Sequence, residues 1–390
     1  MRFGPSALVF VAACGGGSGA TPDAAPPDGF DRGALLGHLA NQVLLPAQTR
    51  FAEIAARLPP AISTYCDALG GDPGPALMLA RAAWGDAIDA WQAADAMLVG
   101  PAAMDNRAIR DRIYGWPLLS TCGLDRDTAS SFADPRSYDP ATRLANVRSL
   151  AAIEYLIYAR DTAHTCATPP PGWDALGANL ALARCRQALA IAGDVATTAA
   201  ALATAWRGDG GNYVAQLAMA GQRGSSIASA QEGVNRISDA MFYVDRMVKD
   251  MKLAEAAGIA VNACGTVDAP CEREVELRYA DRATQAIRTN LTALRQAFTG
   301  TTPAADGPGF DDFLGALGHG DVATRMVDKL DAALAAANAL PDSFLAALAA
   351  DYPQVVATHR AINRFTDDLK SQFLTLLALE IPDDVATDND

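Results

Sequence analysis

One carboxylate in this 390-residue chain stands out by its surroundings. Residues 149–158 read SLAAIEYLIY, and Glu154 has Leu150, Ala151, Ile157 and Tyr158 three and four positions away. Those offsets share one face of a helix. A charge in the middle of an apolar stripe needs a partner, because an unpaired carboxylate withdrawn from water is costly. Two kinds of partner fit. Arg110, Arg112 or Arg148 can form a salt bridge that ties this helix to a neighbour, or Glu154 can contact a ligand or metal ion with the arginine as counter-ion. Trp116 and Pro117 either line the same cleft or pack in the core as a helix stop.

Metal-assisted hydrolysis asks for more than one carboxylate. A catalytic zinc takes about three protein ligands, an open position for water and a base beside it. The pattern His-Glu-x-x-His is absent, and the four histidines, His38, His164, His319 and His359, are dispersed. His38, on the first expected helix near Asn41 and ahead of Pro46, is the histidine best suited to a site. His319 reads as a surface residue in a glycine-rich turn before Asp321, the expected N-cap of the next helix. His164 and His359 read as structural or solvent-facing. No Cys-x-x-Cys and no close Cys/His spacing supports a thiolate metal site.

The elements that must position these residues are helices. Apolar residues recur with helical period through nearly all of the chain, and β-branched alternation is almost absent. The periodicity predicts an all-α protein, with helices at 31–56, 75–98, 106–114, 140–160, 173–206, 226–256, 272–298, 321–337, 341–350 and 353–379. Several exceed twenty residues, which suits four-helix-bundle-like packing. Breaks are expected at Pro59-Pro60, 70–74, 168–172, 208–211 and 299–309. The break near the midpoint divides the chain into helical bundles at 30–208, which carries the Glu154 helix, and 209–390.

The first residues read as an export signal. Arg2 precedes an apolar run over 7–13, and Val11-Ala12-Ala13-Cys14 resembles a lipobox, which makes Cys14 the expected lipidation site. A Gly, Ser, Ala and Pro tether follows, so that 1–13 is signal and 14–29 is a flexible spacer. The expected location is the bacterial cell envelope, lipid-anchored to the outer membrane and facing the periplasm. No later stretch reads as apolar for long enough to span a bilayer. Six further cysteines, an even number in an exported chain, predict disulfides. Cys264 and Cys271 bracket a short loop and form the clearest pair. Proximity to expected helix ends suggests Cys122 with Cys166 and Cys66 with Cys185, and other connectivities stay open. A net charge of −14 without a basic cluster argues against nucleic acid and is compatible with cationic ligands.

Residues 149–158 also resemble the Gly-x-His-x-x-Glu signature of the imelysin family, with Ser149 at the Gly position, Ala151 at the His position and Glu154 in register. The resemblance extends over most of the chain. Trp84 and Trp91 followed by Gly100-Pro101 look like the family's tryptophan-rich second helix, and Ile113 to Pro117 looks like its Ile-x-x-Trp-Pro stretch. Val275-Glu276 and Tyr279 stand where many members have Val-Glu-Ser-Pro-Tyr-Ser. Asn290-Leu291, Phe298-x-Gly300 and the acidic end at 383–390 continue the match.

What the resemblance implies is an exported protein of two helical bundles with a site between them, to which Glu276 is added as a candidate. Family members have been described as insulin-cleaving membrane proteases, as parts of iron-uptake systems and as periplasmic ligand binders. A shared fold does not choose among these roles. Ala151 offers no ligand, so the expected role is a non-enzymatic binding component in iron or metal-complex uptake, with iron or another divalent metal as the implied cofactor and an outer-membrane receptor or metal-uptake protein as partner. Its rivals are an imelysin-type metallopeptidase and a structural envelope lipoprotein that binds another protein. The site candidates are Glu154, His38, Arg112, Trp116 and Glu276.

Overall fold

The structure is a computed structural model and describes residues 28–382 apart from residue 266; the expected signal segment, Cys14, nearly all of the tether and the acidic end lie outside the described residues. Among the described residues every regular element is helical, as the periodicity predicts.

The first group contains α1 (Arg32–His38), α2 (Leu45–Ala55), α3 (Leu58–Ala68), α4 (Gly74–Asp95), α5 (Met104–Ile113), α6 (Thr121–Ala133), α7 (Leu150–Tyr158), α8 (Trp173–Leu176) and α9 (Leu180–Trp206). Helices α2, α3, α4 and α9 pack side by side, and α7 lies against α4 and α9. Large aromatic rings fill the middle, with Phe51 edge-on to Trp91 at 4.9 Å and Trp84 edge-on to Tyr158 at 5.3 Å. After α10 (Tyr213–Ala218) and α11 (Ala230–Met241) comes a π-helical segment, Val244–Glu255, then α12 (Ala283–Thr299), α13 (Phe310–Ala316), α14 (Gly320–Ala339), α15 (Phe344–Ala350), α16 (Tyr352–Asp368) and α17 (Leu374–Leu376). Here α16 packs against α14 and the π-helical segment, and α12 against α14. The two groups meet where α4 lies along α12, and a single apolar core runs through both. Helix α1 reaches across, packing on α10 and α11, while Phe30 just before it stacks on Phe313 at 4.3 Å.

Several expected boundaries shift for local reasons. Pro59 and Pro60 do not break the chain but sit in the first turn of α3, where a missing N–H leaves no helical bond unmade. Pro46 likewise falls in the first turn of α2, and a π-helical turn over Leu39–Leu44 carries the helix through it unbroken. Residues 121–133 form an unexpected helix capped by Ser120, whose Oγ accepts from the Gly123 N–H at 3.2 Å. The expected helix over 140–160 exists only from Leu150. Before it, Arg148 donates to the carbonyls of Ala141 at 2.6 Å and Arg143 at 3.2 Å and gathers that stretch into short 3-10 turns.

The three expected disulfides are present: Cys66–Cys185 joins α3 to α9, Cys122–Cys166 joins α6 to the loop after α7, and Cys264–Cys271 closes the short loop. One expectation is corrected. The helical stretch over Trp173–Trp206, α8 and α9 together, spans 34 residues with mean hydropathy 1.5 and is long and apolar enough to cross a membrane, as α14 and α15 are only when taken together, across a bend of 85°. Half of this apolar stretch is buried, because α9 is the central helix of its group and contacts α2, α3 and α7. A helix with that many packed neighbours is apolar on most of its circumference.

Asp194 of α9 is the polar anchor of this region. It takes Arg112 of α5 at 2.5 Å and Arg148 ahead of α7 at 2.7 Å, so one carboxylate fixes two elements. Asp194→Ala leaves the buried Arg148 guanidinium without its partner and should lower unfolding free energy by about 3–5 kcal/mol. Urea denaturation checks this; a loss under about 1 kcal/mol is what a solvated surface pair would give.

Candidate functional site at the seam between the helix groups

Glu154 is set in place by contacts at the start of α7. Ser149 caps the helix, its Oγ accepting from the Ala152 N–H at 3.4 Å. The Ala151 N–H donates to the Tyr114 carbonyl at 3.2 Å, and Trp84 Nε1 donates to the Leu150 carbonyl at 2.9 Å. Gly115, at φ 73°, permits this approach, since a Cβ there would lie 2.2 Å from Ser149 Oγ. One turn into the helix, Glu154 is only 2 % exposed.

Its partners are backbone amides. Oε1 accepts from the N–H groups of Tyr279 at 2.9 Å and Ala280 at 3.0 Å. None of the three arginines expected as counter-ions pairs with it. Arg110 is held by Asp95 at 3.2 Å, and Arg112 and Arg148 by Asp194. Those aspartates lie on the long helices beside the arginines, whereas Glu154 points to the 275–282 stretch. That stretch explains a second departure from expectation: the helix predicted from 272 starts only at Ala283, because the amides of Tyr279 and Ala280 bond a side chain instead of a helical carbonyl. Leu277 and Asp281 there have φ of 51° and 52°.

Burial pushes the Glu154 carboxyl up to about 8; the Ala280 and Tyr279 amides pull it down, nearby Glu276 raises it further, and Arg278 lowers it. The group is therefore mostly a neutral acid at pH 7.

The second carboxylate belongs to a denser network. Glu276 Oε1 accepts from Tyr114 Oη in a short bond, from Gln92 Nε2 at 2.9 Å and from the Lys252 ammonium at 3.0 Å. Lys252 also donates to Gln92 Oε1 at 2.8 Å and Asn290 Oδ1 at 2.6 Å. Asn290 Nδ2 returns to the Gln92 carbonyl at 2.8 Å and to Gln92 Oε1 at 3.0 Å. All of these side chains are buried. Burial lowers the Lys252 pKa, while the Glu276 charge works against that shift. The Tyr114 phenol is pushed well above its usual range by burial and then by Glu276.

Trp116, followed by a cis bond to Pro117, has its ring 5.9 Å from the Lys252 ammonium. Pro117 lines an open cleft of about 780 Å³. Other walls are Arg107, Arg110, Arg236 and Arg246, the phenols of Tyr213 and Tyr243, the thioethers of Met104, Met247 and Met251, and Asp111 and Asp239. Arg110 also donates to the Trp116 carbonyl at 2.7 Å, and Tyr243 donates to Asp95 at 2.9 Å, so both of these lining residues are held from behind.

The structure thus brings Glu154, Glu276 and Trp116 to one seam. Arg112 belongs to the Asp194 junction. His38 sits elsewhere, its Nε2 2.6 Å from the Gly300 carbonyl and its ring packed on Gly307. His164 meets Trp173 edge-on at 5.9 Å, and His319 stands at the start of α14. Among the described residues no three His, Cys, Asp or Glu side chains gather where a metal ion could be held. Lys252 and Gln92 were missed by sequence reasoning. The only available signal was that Lys252 is one of four lysines in the chain, on the amphipathic run over Val244–Glu255.

These features define an all-helical protein of two joined helix groups with buried carboxylates at their seam. The chain belongs to the imelysin family, whose model matches residues 44–372. No curated protein matches it. Solved structures share the fold. One is an imelysin-like protein from Psychrobacter arcticum 273-4, with TM-score 0.69, 18 % identity and coverage of 90 % of this chain and 96 % of that one. Another is a putative iron-regulated protein A precursor from Parabacteroides distasonis ATCC 8503, with TM-score 0.68, 14 % identity and coverage of 89 % and 95 %.

The raised Glu154 pKa has a definite consequence for stability. A carboxyl whose folded pKa lies above its ordinary 4.5 stabilises the fold least once it must ionise, so its contribution is lost as pH rises from 4.5 to about 8. Glu154→Gln keeps an acceptor for the two amides and removes that loss. Its stability relative to the unsubstituted chain should climb by about 1.4 kcal/mol per pH unit across this window. Denaturant melts at pH 5, 6.5 and 8 check the slope, and a flat difference would assign Glu154 an ordinary ionised state.

Proposed function

We propose that this chain is a non-enzymatic binding component of the cell envelope, anchored through Cys14 to the outer membrane, facing the periplasm, and serving iron or metal-complex uptake together with an outer-membrane receptor. The observation that carries the reading is the state of the seam. Ala151 stands where the signature has an imidazole, and the Oε1 atoms of the two remaining carboxylates already have internal partners: amides for Glu154, and Lys252, Gln92 and Tyr114 for Glu276. A hydrolytic centre needs a metal-held or base-activated water, and these pairings favour binding over hydrolysis. The relative named as an iron-regulated protein precursor supports the iron connection.

Of a bare ion and a metal complex, the complex fits better. A complex brings its own ligands and needs a cleft of small-molecule size, about 300–1,000 Å³, as at Pro117. Guanidinium groups such as Arg236 and Arg246 suit the carboxylates of an anionic chelate.

Equilibrium dialysis of the purified full chain in detergent tests this, using ferric citrate, metal-free citrate, and ferrous, ferric, zinc and copper ions. Ferric citrate should bind one per chain, weaken at least tenfold in Arg236→Gln/Arg246→Gln, and be unmoved by Glu154→Gln. No binding of any probe overturns the uptake reading. Binding of a bare ion that is lost in Glu154→Gln would move the site to the seam. Because such an ion must displace a proton, its affinity would then fall about tenfold per pH unit below 8. Chelator-sensitive cleavage of unfolded protein would establish the peptidase instead.

A further inference from the structure

We propose that Lys252 occupies, from within the chain, a cation site at the seam between the helix groups, so that its ammonium stands where a bound ion would otherwise hold the oxygens together. This goes beyond the ligand reading and does not rest on it.

The geometry is that of a coordinated cation. The ammonium has three N–H groups, and each has an oxygen: Asn290 Oδ1 at 2.6 Å, Gln92 Oε1 at 2.8 Å and Glu276 Oε1 at 3.0 Å. The oxygens come from α12, α4 and the 275–282 stretch, so no single element could close the site alone. Both amides are oriented by other bonds: Gln92 Nε2 donates to Glu276 and to Tyr114 Oη at 3.0 Å, and Asn290 Nδ2 donates to Gln92. Their oxygens therefore face the ammonium. Lys252, Gln92 and Glu276 are fully withdrawn from solvent, and Asn290 is nearly so. The rings of Tyr243, at 5.4 Å, and Trp116, at 5.9 Å, offer their faces to the same charge.

A second observation points to an ion rather than to a lysine pocket alone. Glu276 Oε2 is buried and has no hydrogen-bond partner among the described residues, because the ammonium has no donor left for it. A metal ion would take both oxygens of that carboxylate. One carboxylate with two amide oxygens is an all-oxygen set, which suits hard ions such as magnesium or calcium rather than zinc.

Truncation separates the ion from the chain that delivers it. Lys252→Ala removes the equivalent of n-propylammonium and leaves the oxygens; Lys252→Met fills the space with an uncharged chain. Melting of both full-length variants would be followed with n-propylammonium chloride, magnesium chloride or calcium chloride, against sodium chloride of equal ionic strength. Lys252→Ala should melt below the unsubstituted chain and recover saturably with n-propylammonium or one of the divalent ions. Recovery by the metal should be reversed by a chelator that leaves the unsubstituted chain unaffected, and Lys252→Met should melt low and not recover. The proposal is overturned if none of the three cations raises Lys252→Ala more than it raises the unsubstituted chain, or if Lys252→Met melts with the unsubstituted chain. Should Lys252→Ala fail to fold unaided, refolding yield with and without n-propylammonium becomes the readout, and no gain overturns the proposal.

Discussion

An ammonium ion does not leave water unless oxygens replace its hydration, and for Lys252 those oxygens lie on three separate elements. That requirement fixes more than one side chain. Gln92 holds α4 against α12 through Asn290, at the line where the two helix groups meet. Glu276 draws the 275–282 stretch inward, and the Tyr114 phenol is bound to the same carboxylate. The carbonyl of Tyr114 then takes the Ala151 N–H at the start of α7, and the amides of Tyr279 and Ala280 reach Glu154 on the same helix. A buried charge on the π-helical segment is thus connected, by hydrogen bonds alone, to the signature helix of the other group.

The two carboxylates at this seam have different environments. Glu276 is matched by a cation and two further donors, while Glu154 has two amides and no cation in direct contact. Removal from water therefore acts on Glu154 largely uncompensated, and it is the group whose proton is held up to about 8. The nearby Glu276 adds to the upward shift of Glu154 that burial begins. The irregular backbone before α12 follows from the same bonds, since an amide given to Glu154 is not available to a helix.

Sequence pattern revealed the helices because burial imposes a period on apolar residues, and α4, α9, α14 and α16 lie close to where that period puts them. It failed where side chains compete for the backbone. Arg148 folds the residues before α7 into short turns, and Glu154 unwinds the residues before α12. Neither effect has a local signature, because each depends on a residue brought in by tertiary structure. The same limit governed the ion pairs. Glu154 is recognisable as a buried carboxylate from its neighbours on the helix, but the pattern holds nothing that selects its partner, and Asp95 and Asp194 take Arg110, Arg112 and Arg148. Lys252 was invisible for a related reason: a lysine on an amphipathic run is normally solvated, and its burial depends on acceptors 38 and 160 positions away.

Family membership carries the fold across relatives of low identity, but chemistry depends on individual side chains. In this chain the His position of the signature is the buried methyl group of Ala151, and His38 and His164 are engaged elsewhere. At the seam both Oε1 atoms are committed, that of Glu154 to the amides that shape the 275–282 stretch and that of Glu276 to Lys252, so a reaction that drew on either would compete with cohesion for the same atom. The cleft beside Pro117 is set apart from those two oxygens: Arg110 and Tyr243 line it and are themselves held by Asp95. What enters that cleft is therefore free of the constraint that holds the seam together.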